Sequence, residues 1–112
     1  MTDYNYGDIV LVPFPFTDFN TLKQRPAIVI SSNAYCREKS DLIIMAITSR
    51  IRTNQSIGEF QMHKWQEAGL LKPSVVKPVI TTITKSLIRK TLGQLEQADR
   101  EQLKLTIHDI LG

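Results

Sequence analysis

Short apolar runs separated by polar stretches recur along most of the chain, a spacing that predicts strands rather than helices. Ile9-Val10-Leu11-Val12 follows Gly7-Asp8 and is closed by Pro13 and Pro15, so it reads as a first strand. Residues 27–31 and 42–47 read as the next two, joined by a polar stretch, 32–41, within which Arg37, Glu38 and Lys39 read as a solvated turn. A further strand is expected over residues 57–62, and an edge or bulged strand over 74–80, where Pro78 interrupts the run. A turn near Lys85-Ser86 precedes a last strand around residues 92–95. Residues 64–69 read as one helical turn stopped by Gly69, with Trp65 packing inward. Only residues 98–111 show helical spacing: Leu103, Ile107, Ile110 and Leu111 share a face, and Asp99 and Glu101 near the start suit the helix dipole. Many short strands and one terminal helix predict a mainly β fold, a small strongly bent antiparallel β-barrel.

The chemistry concentrates where apolar runs meet polar ones. In Lys23-Gln24-Arg25-Pro26-Ala27-Ile28-Val29-Ile30 a cation stands at the start of a strand, and Pro26 holds Arg25 extended. The run ending in Ile47 passes directly into Thr48-Ser49-Arg50, so a second strand delivers hydroxyls and a cation at its terminus. Brought together, the two ends suit a phosphate: Arg offers planar bidentate donation, and Thr and Ser offer neutral donors. The turn-rich stretch 13–24 reads as a long loop in which Phe14, Phe16 and Phe19 alternate with Thr17 and Asp18. Those rings are either stacking faces for unpaired bases or a lid on the core. Arg50 and Arg52 frame a basic connection at 51–56 that can follow a phosphate backbone.

Charge sharpens this reading. The net charge is only +3, but residues 21–95 hold twelve bases against four acids, while both ends are acidic. A basic centre suits a polyanion. With 42% hydrophobic and 22% charged residues over 112 positions, the chain is expected to form one domain, 1–112, with a modest core. No run approaches the roughly 20 residues of a spanning helix and the first residues resemble no signal sequence, so a cytoplasmic address without membrane contact is expected. The lone Cys36 forms no internal disulfide, and no Cys/His cluster, Gly-rich phosphate loop or nucleophile elbow is present, so no cofactor or metal is expected. A paired-histidine ribonuclease site would need His63 and His108 at one phosphate.

Gly7-Asp8-Ile9-Val10-Leu11-Val12-Pro13-Phe14-Pro15-Phe16-Thr17-Asp18, the Arg25-Pro26-Ala27 junction, Ile47-Thr48-Ser49-Arg50 and Trp65-Gln66-Glu67-Ala68-Gly69-Leu70-Leu71-Lys72-Pro73-Ser74-Val75-Val76 together resemble the MazF/PemK family of toxin ribonucleases. The resemblance implies an SH3-like, strongly bent antiparallel β-barrel with short helices and a C-terminal α-helix. It implies a homodimer that cuts single-stranded RNA at short motifs without a metal, using the ribose 2′-hydroxyl and leaving a cyclic phosphate, and a cognate antitoxin that blocks the RNA groove. Carried over position by position, it makes Arg25 and Thr48 catalytic. Arg25 would brace the nonbridging phosphate oxygens and Thr48 would hold the phosphate in line. Gln24, Ser49, Arg50, Arg52, Thr17, Asp18 and Phe19 become substrate contacts, with Asp18 a candidate proton acceptor. Where the family often has a charged residue before the arginine, this chain has neutral Gln24. Two readings without chemistry stand beside this one: a protein-interaction toxin of the gyrase-inhibitor type, and an RNA-binding module that does not cut.

Overall fold

The computed structural model describes residues 3–13, 24–51 and 56–112. Phe14, Phe16, Thr17, Asp18, Phe19 and Arg52 lie outside them. Six strands form one antiparallel sheet: β1 (Asp8–Pro13), β2 (Gln24–Val29), β3 (Asp41–Thr48), β4 (Phe60–Gln61), β5 (Val75–Thr84) and β6 (Lys90–Gln94), in the order β4-β5-β3-β2-β1-β6. The sheet curls into a half-barrel whose two edges are β4 and β6. Helix α1 (Asn33–Glu38) lies between β2 and β3, and α2 (Gln97–Leu111) ends the chain.

The central strands read as unbroken apolar runs because both faces of the sheet are covered. Ile9, Ile28 and Met45 enter one core with Leu103 of α2, while their neighbours Val10, Ala27, Val29 and Ile44 enter a second core with Cys36 of α1. Alternation along each strand thus feeds two cores.

Three sequence expectations need correction. Arg37 and Glu38 are not in a turn but end helix α1, with Lys39 as its C-cap; Ser32 Oγ accepts from Tyr35 N–H at 3.1 Å and starts that helix, which buries Cys36. The strand expected over 57–62 shrinks to Phe60–Gln61, since Ile57-Gly58 forms a turn with Gly58 at φ +91°. Leu111 is mostly exposed, so α2 packs through Leu103, Ile107 and Ile110 alone of the four.

Pro78 is accommodated as the sequence suggests. β5 pairs with β3 at Ile80↔Met45 and again at Val76↔Ile47, and the register shift between them places Pro78 where no ladder bond is required of it. The turn after β4 then closes the gap to the opposite edge. Ala68 N–H donates to Lys64 O at 3.1 Å and Leu70 N–H to Trp65 O at 3.0 Å, with Trp65 packed on the first core. Gly69 (φ +94°) and Gly93 of β6 meet back to back, and a Cβ on either would strike the opposing carbonyl.

Asp8, at the start of β1, is buried. That burial pushes its carboxyl above the usual carboxylate range, an effect partly offset by Asn5 N–H at 2.9 Å, by Gln94 and by Arg100. A carboxyl whose folded pKa exceeds its unfolded one binds its proton more tightly in the native state. Its ionisation therefore costs stability, and the cost appears as pH rises through the folded value. Asp8→Asn is expected to raise the urea midpoint at about pH 7 and to lose that advantage at about pH 4, near the unfolded carboxylate value. An advantage that does not shrink on acidification would contradict the assignment.

Among the described residues no helix is long and apolar enough to cross a membrane.

Candidate functional site

The site forms where β2 and β3 part. Their pairing runs through Val29↔Ile44, Ile28↔Met45 and Ala27↔Ala46 and then stops, because Pro26 has no N–H to continue the ladder. Beyond that point each strand is held from its far side only. β1 holds β2 through Leu11↔Pro26, Val12↔Arg25 and Pro13↔Gln24, and β5 holds β3 through Ile47↔Val76 and Thr48↔Val75. Continued by two residues, the β2–β3 register sets Arg25 opposite Thr48. Both border a pocket of about 380 Å³ together with Ser49.

The rest of the pocket comes from distant parts of the chain. Pro26, Ile47, Leu11 and Leu92 give it an apolar wall, and the bend from Gly69 to Lys72 forms a rim. That bend is held by Ser74, whose hydroxyl donates to Lys72 O at 2.9 Å while its carbonyl accepts from Met62 N–H at 2.9 Å. On β6, Lys90 borders the pocket from the other side of Leu11.

Electrostatically the pocket is one-signed. Every ionisable residue that lines it, Arg25, Lys72 and Lys90, is a cation, and no carboxylate or imidazole is among the described lining residues. Thr48 Oγ1 accepts from Arg50 N–H at 3.1 Å, which fixes the hydroxyl and leaves its own O–H to donate. An anion with several acceptor oxygens would find a guanidinium, two ammonium groups and hydroxyl donors converging beside an apolar surface. This is suited to a phosphate that carries an organic group.

Of the residues singled out by sequence, Arg25, Thr48 and Ser49 meet here. Arg50 contributes its backbone N–H to Thr48, and its exposed side chain is not part of the lining. Gln24 is half-buried at the start of β2, next to the pocket but not lining it, and its Oε1 has no hydrogen-bond partner among the described residues. His63 and His108 are both exposed and neither lines the pocket, so the described geometry gathers no histidine pair there. Lys72 and Lys90 were missed as site residues. Lys72 lay inside the Trp65–Val76 stretch quoted for the resemblance, whereas Lys90 reaches the pocket only through its pairing with Leu11, which no local pattern announces.

No curated protein matches the chain by sequence. Solved structures do match in fold. One is an endoribonuclease in complex with its cognate antitoxin from a mycobacterial species, at TM-score 0.78 and 20% identity over 97% of this chain and 95% of that one. The toxin MazF-mt6 of Mycobacterium tuberculosis matches at TM-score 0.70 and 20% identity, over 89% and 91% of the two chains. MazF from Deinococcus radiodurans matches at TM-score 0.76 and 18% identity, over 100% and 99%. A family model matches residues 5–111, all but the ends of the sequence: the chain belongs to the PemK-like, MazF-like toxins of type II toxin-antitoxin systems.

Proposed function

We propose that this toxin is an endoribonuclease that cuts single-stranded RNA without a metal, by attack of a ribose 2′-hydroxyl on the adjacent phosphorus. A bond forms between the 2′-oxygen and phosphorus as the bond to the 5′-oxygen breaks, leaving a 2′,3′-cyclic phosphate on one fragment and a hydroxyl on the other. The observation that carries the reading is the one-signed pocket at the parting of β2 and β3, with Arg25 and Thr48 both in its lining. The structural likeness to an endoribonuclease supports it.

Arg25 binds the nonbridging oxygens as negative charge grows on them, and Thr48 O–H donates to the same phosphate and holds it in line. Ser49 supports the pair. The described lining offers no carboxylate or imidazole to take the 2′-hydroxyl proton, and Asp18, which lies outside the described residues, is assigned that role. Thr17, Phe19 and Arg52 are assigned to substrate contacts, as is Gln24 at the pocket's edge. The toxin acts as a single-domain homodimer in the cytoplasm, and a cognate antitoxin blocks the basic groove with an acidic segment that folds on binding.

The test is cleavage of a labelled single-stranded RNA in excess chelator. Cutting is expected to persist, to leave cyclic phosphate ends and to stop when the 2′-hydroxyl at the cut site is replaced by hydrogen. Cutting of that deoxy substrate would overturn the mechanism, and an RNA neither bound nor cut would overturn the function. Thr48→Ala is expected to slow single-turnover cleavage about tenfold, the loss of one neutral donor to a charged group, with Thr48→Ser near wild type. Equal rates for wild type and Thr48→Ala would remove Thr48 from the site.

A further inference from the structure

We infer that Lys90 is a substrate-binding residue, whose ammonium holds the phosphate next to the one seated at Arg25 and Thr48. This rests on the endoribonuclease reading and adds a second point of grip to it.

Three observations converge on Lys90. The first is its place in the sheet. Leu11 pairs with Pro26 on one side and with Lys90 on the other, so Lys90 lies two strands from Pro26 in the same cross-strand row. Two strand spacings are roughly 10 Å, too far for one phosphate to engage both backbone positions closely but within reach of a long side chain extended from each. The second is its mounting. Lys72, the other lysine at the pocket, sits on a bend, whereas Lys90 opens the edge strand β6 and is tied to β1 there, by its pairing with Leu11 and by Arg89 N–H donating to Leu11 O at 2.8 Å. Its Cα is therefore fixed relative to Arg25 before substrate arrives.

The third observation is what its charge does in the free protein. Lys85 Nζ donates to Cys36 O, and Arg100 Nε donates to Leu95 O at 2.9 Å, so these cations hold the fold together. Lys90 is exposed and has neither an ion pair nor a side-chain hydrogen bond among the described residues. A rigidly mounted, unengaged cation on the wall of a pocket without carboxylates is arranged for a ligand's charge. Leu11 lies between Lys90 and the β2 side, and with Pro26 and Leu92 it gives the nucleoside joining the two phosphates an apolar surface to lie on.

The binding prediction concerns ground-state affinity, not the chemical step. Lys90→Gln should weaken binding of a noncleavable 2′-deoxy-substituted strand about tenfold at low salt. The slope of log affinity against log salt should fall by about 0.7, one phosphate contact to a single strand. Single-turnover cleavage at saturating RNA should stay within about twofold of wild type, and Lys90→Arg should restore affinity. A neutral methylphosphonate placed at each linkage in turn locates the contact. At one linkage beside the cut site the substitution should weaken wild type and leave Lys90→Gln unaffected. If wild type binds and cuts but Lys90→Gln matches it in affinity and salt slope, the inference is wrong and the nuclease reading stands. Equal penalties at every linkage in both proteins would also overturn it. If wild type neither binds nor cuts, both readings fall together.

Discussion

Arg25→Ala is expected to lower the single-turnover rate of RNA cleavage by at least ~10²-fold, the usual cost of removing one preorganised donor aimed at developing charge. Arg25 is exposed at the mouth of the pocket and its backbone is held by β1, so the fold should survive the change. RNA affinity should fall far less than rate, by no more than about the tenfold of one phosphate contact, because the transition-state role of Arg25 is not shared by the other contacts. Arg25→Lys should recover only part of the rate. An ammonium keeps the charge but cannot present two parallel N–H groups to two phosphate oxygens. The contrast with Lys90 is the useful one: Arg25→Ala moves rate more than affinity, and Lys90→Gln moves affinity with little change in rate. Circular dichroism of each variant separates misfolding from lost chemistry. A folded Arg25→Ala protein that cuts at the wild-type rate would show that the pocket is not where cleavage occurs.

How much of this was legible beforehand follows from how each element is stabilised. β1, β2 and β3 were readable because strands buried on both faces must be apolar at nearly every position, and Ile9-Val10-Leu11-Val12 and the 42–47 run say so directly. Helix α1 was not, since it buries only Cys36 and depends on the Ser32 cap, so its hydrophobic signal is a single residue. Arg25 and Thr48 could be named because each stands at a strand terminus in a recognisable local pattern. Their proximity, however, depends on the β2–β3 register, which is set by Ala27↔Ala46 and not by either residue. Gln24 beside the arginine could be noted but not interpreted. Lys90 could not be found locally, because what makes it part of the pocket is the β1–β6 ladder between residues about eighty positions apart.

Asp99 is the largest case of a role hidden by sequence distance, and Asp99→Ala is expected to cost about 3 kcal/mol of stability. Read locally, Asp99 is an acid in the first turn of α2, worth a few tenths of a kcal/mol through the helix dipole. In the fold it is fully buried, and its two oxygens accept from His63 N–H at 3.0 Å and Lys64 N–H at 2.8 Å. Two charge-assisted bonds and the dipole of α2 together offset the desolvation of the carboxylate. Removing it leaves two part-buried backbone donors without their partner, each costing up to about 1–3 kcal/mol, and some of that is returned because the buried carboxylate is gone. Asp99→Asn should fall between, since one oxygen can still accept while the amide N–H₂ faces a donor. The loss should reach the pocket. His63 and Lys64 lead into the turn that packs Gly69 against Gly93 and continues into the Gly69–Lys72 rim, so loosening it frees one wall of the site. Urea denaturation should therefore show the Ala variant least stable. RNA cleavage at a temperature where that variant remains folded should show reduced affinity with Arg25 and Thr48 intact. An unfolding midpoint unchanged from wild type would mean that the two hydrogen bonds do not hold the turn, and that the rim is positioned by the glycine contact alone.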